Sequence, residues 1–268
     1  MPKGRGVSAS SSGNHTEPAA LVRAWDAQQS AYIAGRESRF DIITDIVGLA
    51  CGDEPVVVDL ACGPGSLSAR ILAAHPRARV VAVDFDPLLL DLAAKTLAVD
   101  HGDRVVLVEA DLADHSWTGA LTDALAGAAV SAFVSTTALH WLSPDTLLRV
   151  YAAAAEMLPG NGILLNGDHF RFDGRWPTLR RLAEAHDTST QAQAHAAGAP
   201  TWDRWWAAAM ARDGVAELAA LREQRFADRT PPPSTAVDFH LAALAQAGFS
   251  EVGTVWQLLD DYIVLGVK

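Results

Sequence analysis

Residues 56–66 read V-V-V-D-L-A-C-G-P-G-S, a run that leaves the chain around it little choice of fold. Three consecutive valines favour a short buried strand, and Asp59 sits where that strand should end. Gly63 and Gly65 then flank Pro64. Glycine accepts positive φ and lets a ligand come close to the backbone, as a tight strand-to-helix turn over a nucleotide requires. Residues 67–75 read as the helix that follows. Strand, acid, glycine turn and helix together form a candidate nucleotide site.

The same rhythm recurs downstream. Strands are predicted at 55–60, 78–83, 104–108, 130–134 and 163–166, separated by helices at 67–74, 88–99, 119–126 and 144–158. Ser143 is the expected N-cap of the last of these helices, and Asp86 before Pro87 reads as the start of the second. Alternation at this spacing predicts an α/β fold: a doubly wound, mostly parallel seven-stranded sheet with an antiparallel last strand and helices on both faces. Two helices precede it, at 17–30 and 37–50, broken by Y-I-A-G-R at residues 32–36. After strand five, residues 170–229 hold helix-like stretches and four tryptophans, Trp176, Trp202, Trp205 and Trp206, before Pro231-Pro232-Pro233. This region reads as a helical cap insertion at about 170–230. A helix at 237–247 stops at Gly248, a C′ glycine. Strands at 251–257 and 262–267, joined by a short D-D link, close the chain as an antiparallel hairpin. Residues 1–17 read as a disordered Ser/Gly-rich tail, and 18–268 as a single domain.

Composition narrows the class of ligand. The net charge of −11 and pI near 5.2 offer no basic surplus to neutralise phosphates, which argues against a nucleic-acid partner. Cys51 and Cys62 are too few for a disulfide framework or a zinc site, and Cys62 reads as a small residue accepted in the turn. No apolar run is long enough for a membrane span and the N-terminus lacks a signal peptide's apolar segment, so the expectation is a cytoplasmic protein with no membrane partner.

Polar residues fall at the strand ends: Asp59, Asp84, Asp111, Ser135 and Asp168. In doubly wound sheets the ligand lies beyond those carboxyl ends, so one crevice can collect them all. Asp59, Asp84 and Asp111 end successive strands, 25 and 27 residues apart. The dinucleotide fingerprint G-x-G-x-x-G/A fails at Ser68, and a carboxylate at Asp59 would repel a pyrophosphate across the turn. Asp59 suits a cationic group instead. A P-loop is excluded because no G-K-[ST] follows the turn.

At this point the motifs resemble a family. V-V-D-L-A-C-G-P-G-S is similar to the first motif of the class I S-adenosylmethionine (SAM)-dependent methyltransferases, and V-V-A-V-D-F-D-P to the second. E-A-D-L matches the acid after strand three, A-L-H-W-L the region after strand four, and L-P-G-N-G-I-L-L the turn into strand five. The likeness covers roughly residues 25–167 and is closest to the small-molecule, trans-aconitate-like and antibiotic-tailoring branch, with a place in secondary metabolism. Ala61 departs from the glycine many members carry there. The resemblance implies that Asp59 and the Ala61–Gly65 backbone, including Gly63, hold the methionine end of SAM. It implies that Asp84 accepts from the ribose hydroxyls with Phe85 against the adenine, and that Asp111 accepts from the adenine amine beside Leu112. Ser135 or Thr136 would lie under the sulfonium.

For the chemistry, methyl transfer is an in-line displacement in which the protein aligns the reactants and excludes water. A general base matters for an alcohol, phenol, amine or acidic carbon acceptor. His140 and His169 are the candidates: His140 also fits a packed helix-end histidine, and His169 follows strand five, with Asp168 as its companion. His140, Asp168, His169, His186 and His195 show no metal-ligand spacing, so no metal is expected. Tyr32 and Arg36 at the helix break, with Trp205 and Trp206 of the cap, are the candidate acceptor contacts. Aromatic walls favour a flat or apolar small molecule. The expected activity is methyl transfer to oxygen or carbon of such an acceptor, with a homodimer as the expected assembly. SAM-bound chemistry of another kind, such as a cyclisation, and a non-catalytic SAM-binding partner are the open alternatives.

Overall fold

The computed structural model describes residues 17–268, so the tail expected at 1–17 lies outside the described residues but for Glu17. Two N-terminal helices, α1 (Pro18–Tyr32) and α2 (Arg36–Cys51), lead into the sheet. There follow β1 (Val56–Leu60), α3 (Ser66–Ala74), β2 (Arg79–Asp84), α4 (Pro87–Lys95), α5 (Leu97–His101) and β3 (Val105–Glu109). The second half of the sheet brings α6 (Trp117–Leu125), β4 (Ala132–Thr136), α7 (Pro144–Met157) and β5 (Ile163–His169). The cap consists of α8 (Pro177–Ala196), α9 (Trp202–Met210) and α10 (Ala216–Phe226), and the chain closes with α11 (Val237–Gln246), β6 (Glu251–Leu258) and β7 (Asp261–Val267).

The seven strands lie in the order β3-β2-β1-β4-β5-β7-β6, with β7 antiparallel to both of its neighbours. The order reverses between β1 and β4, which places a crevice over the carboxyl ends of those two strands. Side chains alternate across the sheet and build a core on each face. Val58, Leu60, Val83, Phe133 and Leu164 pack against Trp117, Leu121, Tyr151 and Leu244 from α6, α7 and α11. Val57, Val80, Ala82, Val134 and Leu165 pack against Phe40, Ile43, Leu67 and Ile71 from α2 and α3. Among the described residues no helix is long and apolar enough to cross a membrane.

Four local expectations need correction. The helix expected at 88–99 is two helices, because Thr96 adopts φ −127° and ψ −79° while its Oγ1 donates to Leu92 O at 2.7 Å. Strand four begins at Ala132 rather than 130: Ala126 and Gly127 turn with positive φ, and the chain rejoins the sheet only where Ala132 pairs with Val57. Ser135 and Thr136 are therefore strand residues. Strand five runs on to His169, because β7 extends the ladder through Asp168↔Tyr262 and His169↔Asp261. Ser143 is the N-cap residue of α7, but its side chain makes no capping hydrogen bond to the helix backbone; its Oγ lies 2.6 Å from Asp145 Oδ1 and 2.9 Å from Thr146 Oγ1.

One buried cation joins the N-terminal helices to the strand ends. Arg39 of α2 is fully buried and pairs with Asp261 Oδ1 at 3.0 Å. Its guanidinium also donates to Gly167 O at 3.2 Å and to Thr137 Oγ1 at 3.3 Å. Gly167 is required beneath it, since a Cβ there would lie 2.8 Å from Arg39 Cδ. Removing one partner of such a pair leaves the other charge buried. Arg39→Ala should lower the unfolding free energy by about 3–5 kcal/mol, read from the urea midpoint at constant m-value; a loss below about 1 kcal/mol would mean that Asp261 finds another partner.

Candidate active site

The glycine turn leaves β1 through three positive-φ residues, Ala61 (φ 55°), Gly63 (φ 59°) and Gly65 (φ 89°). Ala61 holds the left-handed conformation despite its Cβ, so the departure from glycine there is a small strain rather than a different turn. Gly65 cannot be replaced so easily: a Cβ would lie 2.6 Å from Leu97 Cδ2 at the start of α5. The turn closes on itself through Gly65 N–H to Cys62 O at 3.0 Å, and Cys62 N–H donates to Val83 O at 3.0 Å. Above it, Ser66 Oγ donates to Asp26 of α1 at 2.6 Å, and Arg70 of α3 reaches the same carboxylate at 3.2 Å. The first helix is thereby tied across the turn.

Two buried carboxylates flank this turn. Asp59 accepts from Ser68 Oγ at 2.6 Å, and burial pushes its pKa up to about 7; the Ser68 hydrogen bonds oppose that shift and the neighbouring Asp84 adds to it. Asp84 accepts the Gly63 N–H on Oδ2 and the Phe85 and Asp86 N–H groups on Oδ1, each at 2.7 Å. Burial raises it to about 6 against those three donors. A cation bound beside them would favour the ionised form of both. Their position fits a ligand with an ammonium beside Asp59 and hydroxyl donors beside Asp84. Asp86 has the other role read for it: its Oδ1 accepts from Leu88 N at 2.9 Å and Leu89 N at 3.3 Å, capping α4.

The β2 and β3 ends carry contacts that sequence reasoning missed. Arg222, Arg225 and Arg229, on and just past α10, reach Asp86, Glu109 and Asp111 respectively. Arg229 lies 4.3 Å and Arg225 4.9 Å from the centroid of the Phe85 ring. Asp111 also accepts Ala113 N–H at 2.9 Å. Leu112, expected beside a bound adenine, packs into the core with Trp117 and Leu121. Ser135 is buried and donates to Leu60 O at 2.8 Å, bracing β4 on β1, and Thr136 Oγ1 lies 3.2 Å from Thr137 Oγ1.

The two candidate histidines take different carboxylates, although their rings lie 5.9 Å apart centroid to centroid. His140, on a short 3-10 turn at Leu139–Trp141, places Nδ1 2.7 Å from Asp168 Oδ1, and its backbone N–H donates to Oδ2 at 3.1 Å. His169 was expected to use Asp168, but only its backbone N–H reaches that carboxylate, at 2.8 Å; its ring Nδ1 pairs with Asp261. Strand alternation is the reason, since neighbouring residues of β5 face opposite sides of the sheet. Burial lowers the His140 pKa, but the charge and hydrogen bond of Asp168 outweigh it and the net shift is upward. Asp168 is held well below the usual carboxylate range: its burial is overcome by the two histidines. With Nδ1 bound to Asp168, Nε2 is the ring nitrogen able to take a proton, and the side chain is 29% exposed.

The expected acceptor contacts are mostly committed elsewhere. Arg36 is buried, pairs with Asp26 Oδ1 at 2.9 Å and lies 4.5 Å from the Phe40 centroid, so it is a structural cation rather than a free carboxylate receptor. Trp205 and Trp206 are both core: they pack with Leu21, Leu88, Leu89 and Leu92, and Trp205 Nε1 donates to Leu21 O at 3.0 Å. Tyr32 accepts from the Trp202 backbone N–H at 3.4 Å at the joint between α1 and α9. A cavity of about 400 Å³ opens instead beyond β5, walled by Phe170, Phe172, Trp176, Leu259 and Tyr262 with Asp238 at its rim. Among the described residues no three His, Cys, Asp or Glu side chains are grouped to hold a metal ion.

Comparison with known proteins gives these features relatives. Residues 57–162 match the family model described as a methyltransferase domain. The chain is 30% identical over 141 residues to trans-aconitate 2-methyltransferase of Azoarcus sp. (strain BH72), covering 52% of this chain and 49% of that protein. It is 28% identical over 111 residues to 3-amino-4-hydroxybenzoate 4-O-methyltransferase of Streptomyces cremeus, covering 41% and 28%. These matches thus span half or less of the curated relatives' own length. An O-methyltransferase family protein of Burkholderia thailandensis shares the fold at a TM-score of 0.59 and 18% identity, over 95% of this chain and 61% of that one. Residues 57–162 thus form a methyltransferase domain, and the chain is similar to known methyltransferases, enzymes whose methyl donor is SAM.

The His140–Asp168 pair is open to direct titration. Its raised pKa means that the pair adds stability that is full below about 6.5 and is lost as pH climbs through the folded-state value. NMR titration of His140 should give a value above 6.5 in the native protein, and Asp168→Asn should bring it below 6.5, because burial and the charges of Arg171 and Arg39 then act unopposed. A His140 value indifferent to Asp168→Asn would break the pair.

Proposed function

We propose that this protein transfers the methyl group of SAM to a hydroxyl or acidic carbon of a small, flat acceptor, with His140 as general base. The observation that carries the proposal is the His140–Asp168 pair at 2.7 Å, standing at the carboxyl ends of β4 and β5 beside the switch point. SAM, when bound, supplies an electrophilic methyl group on a sulfonium. Asp59 and the 61–65 backbone hold the ammonium and carboxylate end, Asp84 accepts from the ribose hydroxyls, and Phe85 and Asp111 serve the adenine. Ser135 keeps β4 on β1 so that Thr136 stands at the crevice edge.

The proton balance falls to this chain's own groups. His140 Nε2 accepts the acceptor's proton as the oxygen or carbon attacks, and Asp168 stabilises the imidazolium through Nδ1–H. His169, paired with Asp261 and close to Arg39, holds β5 to β7 and α2 rather than taking that proton. The aromatic cavity after Phe170 is the room offered to the acceptor, and the net charge of −11 favours a small molecule over a nucleic acid. Two free cysteines are consistent with a cytoplasmic location. The single-domain organisation of 18–268 with its cap, the role in secondary metabolism and the homodimer belong to the same proposal, and sedimentation at working concentration decides the last.

The test is calorimetry with S-adenosylhomocysteine (SAH) followed by methyl transfer from labelled SAM to a panel of aromatic hydroxy acids and phenols. Asp84→Ala should weaken SAH binding by about 1.5–3 kcal/mol; undiminished affinity would remove the ribose assignment. His140→Ala should leave SAH affinity unchanged and lower turnover about 10²–10⁴-fold. Since His140 acts as a base only when neutral, the rate should rise with pH through a limb above 6.5, and Asp168→Asn should shift that limb downward while lowering its plateau. A flat profile from pH 5 to 9 would exclude His140 as the base.

A further inference from the structure

The end of α10 holds the groups to which the adenine has been assigned. Arg229 pairs with Asp111 and lies over the Phe85 ring at 4.3 Å; Arg225 pairs with Glu109, donates to Phe85 O at 2.7 Å and lies 4.9 Å from the same ring. Phe226 adds its own ring at 5.6 Å from Phe85. A guanidinium is planar, carries N–H donors in its plane and stacks on aromatic faces. Those are the properties by which an adenine with its exocyclic amine would use Phe85 and Asp111. The two cannot share the site. Contact layers are about 3.5–4 Å apart, so an adenine between Phe85 and Arg229 needs roughly 7 Å, against the 4.3 Å present.

The two ends of α10 are held differently. Arg222 donates to Asp86 at 2.6 Å and sits 3.6 Å above the Trp206 ring, which belongs to the core shared with α4. That end is an anchor. Beyond Phe226 the chain makes a turn, with Arg229 N–H to Phe226 O at 3.2 Å, and residues 229–236 form neither helix nor strand. The arginines that cover Phe85 are thus at the end with the fewest packing constraints.

We infer that Arg229 is an internal stand-in for the adenine, and that the carboxyl end of α10 is a latch that swings off Phe85 and Asp111 to admit the cofactor. The inference rests on the assignment of Asp84, Phe85 and Asp111 to SAM. The latch pairs are partly exposed and weaken with salt, whereas Asp59 and Asp84 are buried and screened far less. Because SAH is net neutral, its affinity should report the latch more than its own charge. When a fraction of the protein is closed, apparent affinity falls by that fraction.

The experiment is calorimetric titration of SAH into the full chain, its Arg229→Ala and Arg229→Lys variants, from 50 mM to 500 mM NaCl, with thermal unfolding as the folding control. Arg229→Ala should bind SAH about three- to tenfold more tightly at low salt, and Arg229→Lys should fall between. Wild-type affinity should rise with salt, and the Arg229→Ala protein should lose that response; if this variant does not fold, the wild-type salt series decides. Weaker or unchanged binding by Arg229→Ala, or wild-type affinity that falls with salt, would overturn the latch and leave the cofactor assignment standing. No SAH binding by any of the three proteins would overturn both.

Discussion

The carboxylate of Asp84 carries three backbone N–H groups, from Gly63, Phe85 and Asp86, and the site is assembled around it. It joins the turn after β1 to the end of β2 across strands that are already paired through Leu60↔Val83. Hydrogen bonds to a charged acceptor are about twice as strong as neutral ones, so this one side chain gives the glycine turn a single conformation. It is also a carboxylate kept out of water, raised to about 6 despite its three donors. A scaffold that needed only a turn brace would be served by a neutral acceptor. Retaining an ionisable one, close enough to Asp59 to raise the Asp59 pKa further, keeps a negative potential where a cationic ligand would enter.

How much of this was legible in the chain varies with the kind of signal. The sheet was, because valine-rich segments and helical stripes differ in period and each strand end carried a polar residue. Asp59, Asp84 and the glycines stand as the motifs placed them. The acceptor side was less legible. Trp205 and Trp206 looked like pocket walls, yet an aromatic residue reads the same whether it lines a cavity or fills a core, and both pack on Leu88 and Leu89. Arg36 looked like a substrate receptor because Asp26, its partner, lies on the preceding helix at no diagnostic spacing. The arginines at the end of α10 had a signal after all: Arg222, Arg225 and Arg229 recur at intervals of three and four, the spacing of one helical face, although the helix itself ends at Phe226. What no spacing could show is that this face meets Asp86, Glu109 and Asp111 more than a hundred residues away.

Those acids also show how an acidic protein places its few cations. Several arginines are not scattered on the surface but close one element onto another: Arg39 joins α2 to β5 and β7, Arg70 joins α3 to α1, and Arg212, just past α9, joins Ala209 of that helix to Asp91 of α4. Guanidinium suits this use, since its fork satisfies several acceptors at once and its stem packs on aromatic rings. The contacts over Phe85 differ in being exposed to solvent and in sitting at the free end of a helix, which is why they can open while Arg39 cannot.

The separation of His140 from His169 depends on β7. A parallel partner alone would let β5 end near Gly167, where its pairing with β4 stops. The antiparallel β7 continues the ladder for two further residues and holds Asp168 and His169 in strand geometry. Strict alternation then sends the Asp168 side chain to the His140 side and the His169 ring to Asp261 and Arg39 on the other. Asp168 takes the part-exposed His140 ring as its hydrogen-bond partner, while Asp261 takes the adjacent His169 ring and Arg39 and so brings the α2 helix down on the sheet. A single-residue slip of β5 would exchange the faces of Asp168 and His169 and take the carboxylate away from His140. The register of the final hairpin, far from the glycine turn in sequence, is therefore what gives His140 its carboxylate.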